Sequence, residues 1–285
     1  MEFTRKLKKN KVCVIIILFN PVSRNYSELL GKNGVEVILV DNTPGCDANL
    51  SQDNVYYIPL LENKGIAYAQ NIGVKKAIEL EATYVVFFDQ DSIIREDYVD
   101  NILSEYVRIK RLCPNMIIVG PTLINQSNEQ PYKSYKSHLD GRDHFKIVPA
   151  LISSGSIVGL SDFLNVGFLE ADLFIDYVDF EWCWRAESKG YTCCMTQNVN
   201  MLHKVGKKDF SFCGYPIIIS STNRYYYQYR NYIRLMKRSY VPFSWKISSS
   251  IRKIAELFLV PLYVDRKKEF WKNALCGIKD GIMGA

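Results

Sequence analysis

Apolar residues fall along this chain in two rhythms. Short unbroken runs at 12–19, 35–40, 55–61, 84–88 and 116–119 are rich in Val, Ile and aromatic residues and read as buried strands. Between them, apolar positions recur at helical spacing. Ile66, Ala69, Gly73, Ala77 and Leu80 predict a helix over 66–81, and a second is predicted over 96–111. A short helical segment holds Tyr26, Leu29 and Leu30, closed by Gly31 or Gly34. Strands alternating with helices predict a parallel sheet with right-handed crossovers. Further on, 147–153 and 156–160 are strand-like, 162–169 predicts a short helix, and 191–202 is extended. The polar stretch 125–144 has no period and predicts a long loop over a binding face. Past residue 223 tyrosines and basic residues interleave, and amphipathic helices are predicted over 225–237, 248–259 and 267–279.

Composition narrows the class. The 285 residues are 48% hydrophobic and 23% charged, an ordinary globular balance, with a formal charge of +6. No apolar run reaches the roughly 18 residues that span a bilayer. Basic residues before Val12–Phe19 imitate a signal peptide, but Asn20-Pro21 follows in place of a small-residue cleavage site. Eight cysteines are scattered without a paired motif, which predicts reduced, mostly buried thiols in a cytoplasmic protein. His138, His144 and His203 do not stand at zinc-ligand spacing from them. The modest charge and the absence of a recognition motif argue against nucleic acid as a partner.

The strongest chemical signal is Tyr84-Val85-Val86-Phe87-Phe88-Asp89-Gln90-Asp91-Ser92, an apolar strand ending in two acids at i, i+2. Acids beside a core repel each other and lose hydration, a penalty that a divalent cation bound with a diphosphate would remove. A strand end with two solvated acids stays open as the plainer reading. Asn20 and Asp41-Asn42 would line the rim of the sheet, although Asp41-Asn42-Thr43-Pro44-Gly45 also reads as a simple turn. Asn63-Lys64-Gly65 places a glycine where a helix begins, a setting that favours anions, without forming a P-loop or dinucleotide fingerprint. Downstream, the run from Asp176 to Arg185 holds three acids and two tryptophans. Asp179 falls at a predicted helix start, where the dipole would keep its carboxylate ionised as a general base; an N-cap role stays open beside it. His203 stands at the end of an extended run, either structural or returning to the metal.

These segments, in this order, resemble the family 2 glycosyltransferases of the GT-A fold, and most of all their bacterial rhamnosyltransferase branch. The resemblance is carried by Val40-Asp41-Asn42, the stretch from Asn63 to Gly73, Phe88-Asp89-Gln90-Asp91-Ser92, Ser153-Ser154-Gly155-Ser156, the stretch from Phe174 to Arg185, His203-Lys204-Val205-Gly206 and Tyr229-Arg230-Asn231. It implies an α/β fold: a Rossmann-like, mostly parallel GT-A sheet flanked by helices, with a C-terminal helical extension. The implied catalytic domain is 1–222, with a nucleotide-sugar half of about 1–92 and an acceptor half of about 93–222, followed by an amphipathic helical region at 223–285.

The same resemblance implies roles. Asp41 would contact the base, and Asn63 with Gly65 would hold the nucleotide. Asn20, Asn42, Asn71 and Gln90 complete the nucleotide-sugar side. Asp89 would bind ribose or the metal, and Asp91, with His203 as a further ligand, would bind Mg²⁺ or Mn²⁺. Asp179 would activate the acceptor hydroxyl, and Gly155, Glu181, Trp182 and Arg230 would shape the acceptor side. The family's usual Glu-Asp pair is here Val178-Asp179, so Asp179 is the sole acid of the pair. The processive enzymes' Gln-x-x-Arg-Trp motif is absent, which favours transfer of one sugar. The implied enzyme is a metal-dependent inverting transferase using dTDP-L-rhamnose as donor and a lipid-linked glycan of bacterial surface polysaccharide as acceptor. The C-terminal helices would either touch the inner face of the plasma membrane or pack on protein, a second subunit included. A donor such as UDP-galactofuranose, or a non-catalytic nucleotide- or carbohydrate-binding module on the same fold, are the competing readings.

Overall fold

The structure is a computed structural model that describes residues 11–21, 26–46, 48, 50–125, 130, 144–203, 209–212 and 215–284, without the side chains of 203, 209–212 and 215–218. Most of the expected 125–144 loop lies outside the described residues.

The first four strands are β1 (Val12–Leu18), β2 (Val35–Asp41), β3 (Val55–Pro59) and β4 (Tyr84–Asp89). They pair in parallel in the order β3-β2-β1-β4. Alternate residues of these strands enter different cores. Ile15, Ile17, Ile38, Val40 and Phe87 pack with α1 (Ile66–Glu79), α3 (Leu160–Val166) and α4 (Val178–Ser188). Val14, Ile16, Leu39, Val86 and Phe88 pack with α2 (Tyr98–Leu112) on the other face. Burial on both faces is why these strands read as continuous apolar runs. The sheet continues through β7 (Ile157–Gly159), β5 (Met116–Asn125), β8 (Thr192–His203) and β6 (Phe145–Val148). β7 runs antiparallel to both β4 and β5, so the expected parallel sheet is mixed in this half. A separate hairpin pairs β9 (Asp209–Phe212) with β10 (Tyr215–Ile218).

Several boundaries differ from the sequence reading: β5 runs on to Asn125 where 116–119 was expected, and the helix expected over 248–259 is longer at both ends. The strand expected over 147–153 ends at Val148, because Pro149 has no N–H to donate and sheet pairing stops there. The following residues are thereby released to form a loop. The strand expected to reach residue 160 ends at Gly159, and α3 starts at Leu160, two residues earlier than predicted.

Three helices close the chain: α5 (Thr222–Met236), α6 (Phe243–Tyr263) and α7 (Lys267–Met283). Tyr225, Tyr229, Val260, Phe270 and Ala274 form their shared core. α5 and α7 approach closely because Gly277 lies against the Tyr226 carbonyl, where no Cβ would fit. Cys13, Cys46, Cys113, Cys183, Cys193, Cys194 and Cys276 are free thiols. Among the described residues, no helix is long and apolar enough to cross a membrane.

Candidate functional site

The carboxyl ends of β1, β2 and β4 form a rim, as expected where an open α/β sheet binds ligands. Most polar side chains there hold backbone. Asp41 is 1% exposed; its carboxylate accepts the Thr43 N–H at 2.9 Å and the Tyr57 hydroxyl at 2.8 Å. Asn42 accepts the Lys64 N–H at 2.8 Å, tying β2 to the start of α1. Gln90 clamps the end of β1, accepting the Phe19 N–H at 2.7 Å and donating to its carbonyl at 3.1 Å. The exposed Asn20 has φ 46°, and its N–H donates to the Thr43 hydroxyl at 2.7 Å. Asn63 accepts the Gly65 N–H at 3.0 Å, and Gly65 itself sits at φ 85°. Asn71 lies farther along α1 and clamps the Leu169 backbone, donating at 2.8 Å and accepting at 3.0 Å.

β4 ends in a turn closed by the Ser92 N–H on the Asp89 carbonyl at 3.1 Å. Ser154 locks that turn: its hydroxyl accepts the Asp89 N–H at 3.2 Å and meets the Ser92 hydroxyl at 2.9 Å. Asp91 is exposed just beyond. Gly155 lies below, at φ 78°, with its N–H on the Phe87 carbonyl and its own carbonyl on the Tyr98 hydroxyl.

Facing the rim is a strained segment. Phe174, Asp176 and Tyr177 all have positive φ, at 63°, 67° and 64°. The Ile175 N–H reaches the Leu173 carbonyl at 2.7 Å, and with ψ −64° at Phe174 this is the rarer, strained hand of γ-turn. Such backbone persists only when its surroundings over-determine it. Here α5 does so. The buried Asn231 amide donates to the carbonyls of Leu173, Ile175 and Asp176 at 2.7, 2.8 and 3.2 Å. Arg230 donates to the Asp172 carbonyl at 2.5 Å and to Asn231. The rim and the strained segment meet at Phe174, whose carbonyl accepts the Ile66 N–H at 2.7 Å.

Between them lies a cavity of about 740 Å³. Asp89 and Asp179 both line it, brought together from distant parts of the chain. Asp179 is the second residue of α4, and Tyr177 occupies the N-cap position, so Asp179 is not the cap. Its carboxylate accepts N–H bonds from Phe180 at 2.9 Å and Ser153 at 3.2 Å. The helix start is not the strongest influence on its charge. Burial pushes its pKa up to about 6, and the negative charge of Asp89 pushes the same way, outweighing the two N–H donors. Glu181 and Trp182 turn away from the cavity. Glu181 is fully buried and bound by Arg185 and Tyr240, and Trp182 stacks on Phe163 and donates to the Gly167 carbonyl. His203 ends β8, and its side chain lies outside the described residues.

The cavity also holds groups that sequence patterning does not single out. Gln70 donates to the Ser153 hydroxyl at 3.1 Å. Arg224 forms a two-pronged ion pair with Asp176, both bonds 2.8 Å, and lies close enough to feel Asp89. From α6 come Lys253 and Glu256, paired at 2.5 Å. Burial works against the Lys253 charge, but Tyr177 and Glu256 outweigh it and hold its pKa above the ordinary value. The one sequence signal for this pair is Lys253 and Glu256 at i, i+3, followed by the apolar run Leu257–Val260. Among the described residues no three of His, Cys, Asp and Glu converge as a metal site.

Comparison with known proteins agrees with this geometry. The Glycosyl transferase family 2 pattern matches residues 13–155. The dTDP-rhamnosyl transferase RfbF of Shigella flexneri is 32% identical over 96% of each chain. The low-salt glycan biosynthesis hexosyltransferase Agl10 of Haloferax volcanii is 23% identical over 70% of this chain and 68% of its own. In fold, the chain resembles S. aureus TarS in complex with UDP-GlcNAc (TM-score 0.58, 14% identity, 95% of this chain and 81% of that one). It also resembles GalNAc-T7 with UDP, GalNAc and Mn²⁺ (TM-score 0.57, 13% identity, 97% of this chain and 56% of that one). The sheet order, the helices flanking it and these likenesses give the GT-A fold. The chain therefore belongs to glycosyl transferase family 2, is related to the bacterial rhamnosyltransferases, and transfers sugar from a nucleotide-sugar to an acceptor.

Proposed function

We propose that the chain is an inverting, non-processive rhamnosyltransferase that moves L-rhamnose from dTDP-L-rhamnose to a lipid-linked glycan of bacterial surface polysaccharide. One observation carries the reading: Asp89 and Asp179 face the same cavity, the former at the rim and the latter on the strained wall. The choice of donor is supported by the 32% identity to a dTDP-rhamnosyl transferase over nearly the whole of both chains. In this reading residues 1–222 form the catalytic domain and 223–285 the helical region that braces it.

Asp179 takes the proton of the acceptor hydroxyl as that oxygen attacks the anomeric carbon. A carboxylate poised near 6 is a better base at neutral pH than one at the ordinary value, and it is still mostly ionised. Its two backbone donors fix its direction. The diphosphate leaves from the opposite face of the sugar.

A divalent cation fits the donor side. Asp89 and Asp91 offer hard oxygen ligands on one locked turn, the kind of donor that a cation shared with substrate phosphates takes. When bound, Mg²⁺ or Mn²⁺ would supply positive charge against the departing diphosphate.

The test is a calorimetric binding screen of dTDP-L-rhamnose, UDP-galactofuranose and UDP-glucose with Mg²⁺ or Mn²⁺, followed by product analysis. dTDP-L-rhamnose is expected to bind tightest. Asp179→Asn is expected to lower turnover about 10²–10⁴-fold with donor binding unchanged. Preference for another donor rejects the rhamnose assignment, and full turnover in the variant removes Asp179 from its role.

A further inference from the structure

α6 has two faces with different fates. Ser249, Lys253, Glu256 and Val260 turn inward and are buried, and Lys253 and Glu256 reach the cavity. On the other side Phe243, Ile247, Ile251, Ile254, Phe258 and Leu262 are between 50% and 76% exposed. Their spacing, i, i+4, i+8, i+11, i+15 and i+19, keeps them in one stripe along the whole helix. Large apolar side chains exposed singly are normal on a protein surface, but a continuous stripe of six is an interaction face.

Charge identifies the partner. Residues 243–283 carry eight Lys and Arg against four Asp and Glu. On α7, Lys268, Lys272, Leu275, Lys279 and Ile282 recur at i, i+4, i+7, i+11 and i+14, and all five are exposed. Cations interleaved with apolar side chains, with Tyr263 and Trp271 also exposed near the junction of the two helices, match an anionic lipid surface. A second copy of the chain fits less well, because a self-complementary contact along these helices would bring two sets of lysines together.

We propose that α6 lies flat on an anionic lipid leaflet through this stripe, with the α7 lysines adding electrostatic attraction. The cavity wall and the lipid surface are then opposite sides of one helix, about 10–12 Å thick. A bilayer-anchored acceptor is thus delivered to the side of the cavity that holds Lys253 and Glu256. This last consequence rests on the lipid-linked reading of the acceptor; the docking itself does not.

The test is co-sedimentation of the full chain, with no donor or acceptor, on phosphatidylcholine vesicles with and without phosphatidylglycerol. The wild type is expected to pellet with the anionic vesicles and to be released by salt. Ile251→Glu with Phe258→Glu is expected to abolish pelleting, while its melting temperature and its transfer to a soluble acceptor in lipid-free buffer match the wild type. Replacing Lys268, Lys272 and Lys279 by Gln is expected to weaken binding to the anionic vesicles about 100-fold. Equal pelleting of the wild type and the double-Glu variant, or no pelleting of the wild type, overturns the proposal. So does a wild-type dimer in light scattering that the two Glu substitutions dissociate. Normal pelleting without transfer to lipid-linked glycans upholds the docking and rejects the acceptor assignment.

Discussion

The rim at the ends of β1, β2 and β4 and the wall at 173–181 reach the same cavity by opposite means. On the rim, side chains hold backbone: Asp41, Asn42 and Gln90 each close a turn or join two strand ends. On the wall, backbone is strained and a buried amide from α5 holds it, while Asp176 and Asp179 face the cavity. The difference separates two kinds of motif residue. In the proposed reading those on the rim would define the shape a nucleotide meets, and Asp179 on the wall would present charge to the reacting atoms.

The largest expected effect lies on the wall. Activity measured as kcat/KM should fall tenfold per pH unit below about pH 6, as Asp179 becomes protonated, and Asp179→Asn should lack this limb. Stability should move the other way. The folded-state pKa of Asp179 is raised from 3.8 to about 6, so the folded protein binds more protons between those values. Its contribution to stability is therefore lost as pH rises from about 4 to about 6, about 3 kcal/mol in all. Asp179→Asn removes that loss at neutral pH. It also forfeits about 1 kcal/mol, because an amide NH₂ cannot accept the second backbone N–H. Urea denaturation at pH 7 should show the variant about 2 kcal/mol more stable; a less stable variant would mean that the carboxylate is comfortable in its site.

Next comes the brace. Asn231→Ala removes three hydrogen bonds to the strained carbonyls and should cost about 3 kcal/mol, with a fall in kcat and little change in the donor KM. Equal damage to both kinetic constants would blur the distinction between rim and wall. Gly65→Ala tests their junction. An added Cβ would lie 2.6 Å from Phe174, at φ 85°, so a loss of about 2 kcal/mol is expected by thermal melting. The smallest effect belongs to the rim: Tyr57→Phe removes one donor from Asp41 and should cost about 1 kcal/mol with turnover nearly intact.

Local chemistry explains what could be read from the sequence. β1, β2 and β4 were legible because burial on both faces leaves an unbroken apolar run, and α1 because its buried face repeats every three to four residues. Asp89 and Asp179 stood out because an acid at the end of such a run, or at a helix start beside tryptophans, is chemically conspicuous. The raised pKa of Asp179 was not legible. The dipole effect is local and visible in sequence, whereas the burial that overrides it comes from segments far away in the chain. Lys253, Glu256 and Arg224 were hidden for a related reason. Periodicity tells that a helix has two faces, but only tertiary contact tells which face meets a cavity. The same limit applied to Glu181 and Trp182: the family resemblance implied the acceptor side, and α4 turns them into the core.

Gly277, seated against the Tyr226 carbonyl, reaches further than its own contact. α7 wedges α5 in place through this glycine, and α5 carries the amide that keeps the wall in its unfavourable shape. α7 therefore acts as the last stone of an arch: a bulky residue at position 277 would push α5 outward and let the wall relax, disturbing a cavity it never touches.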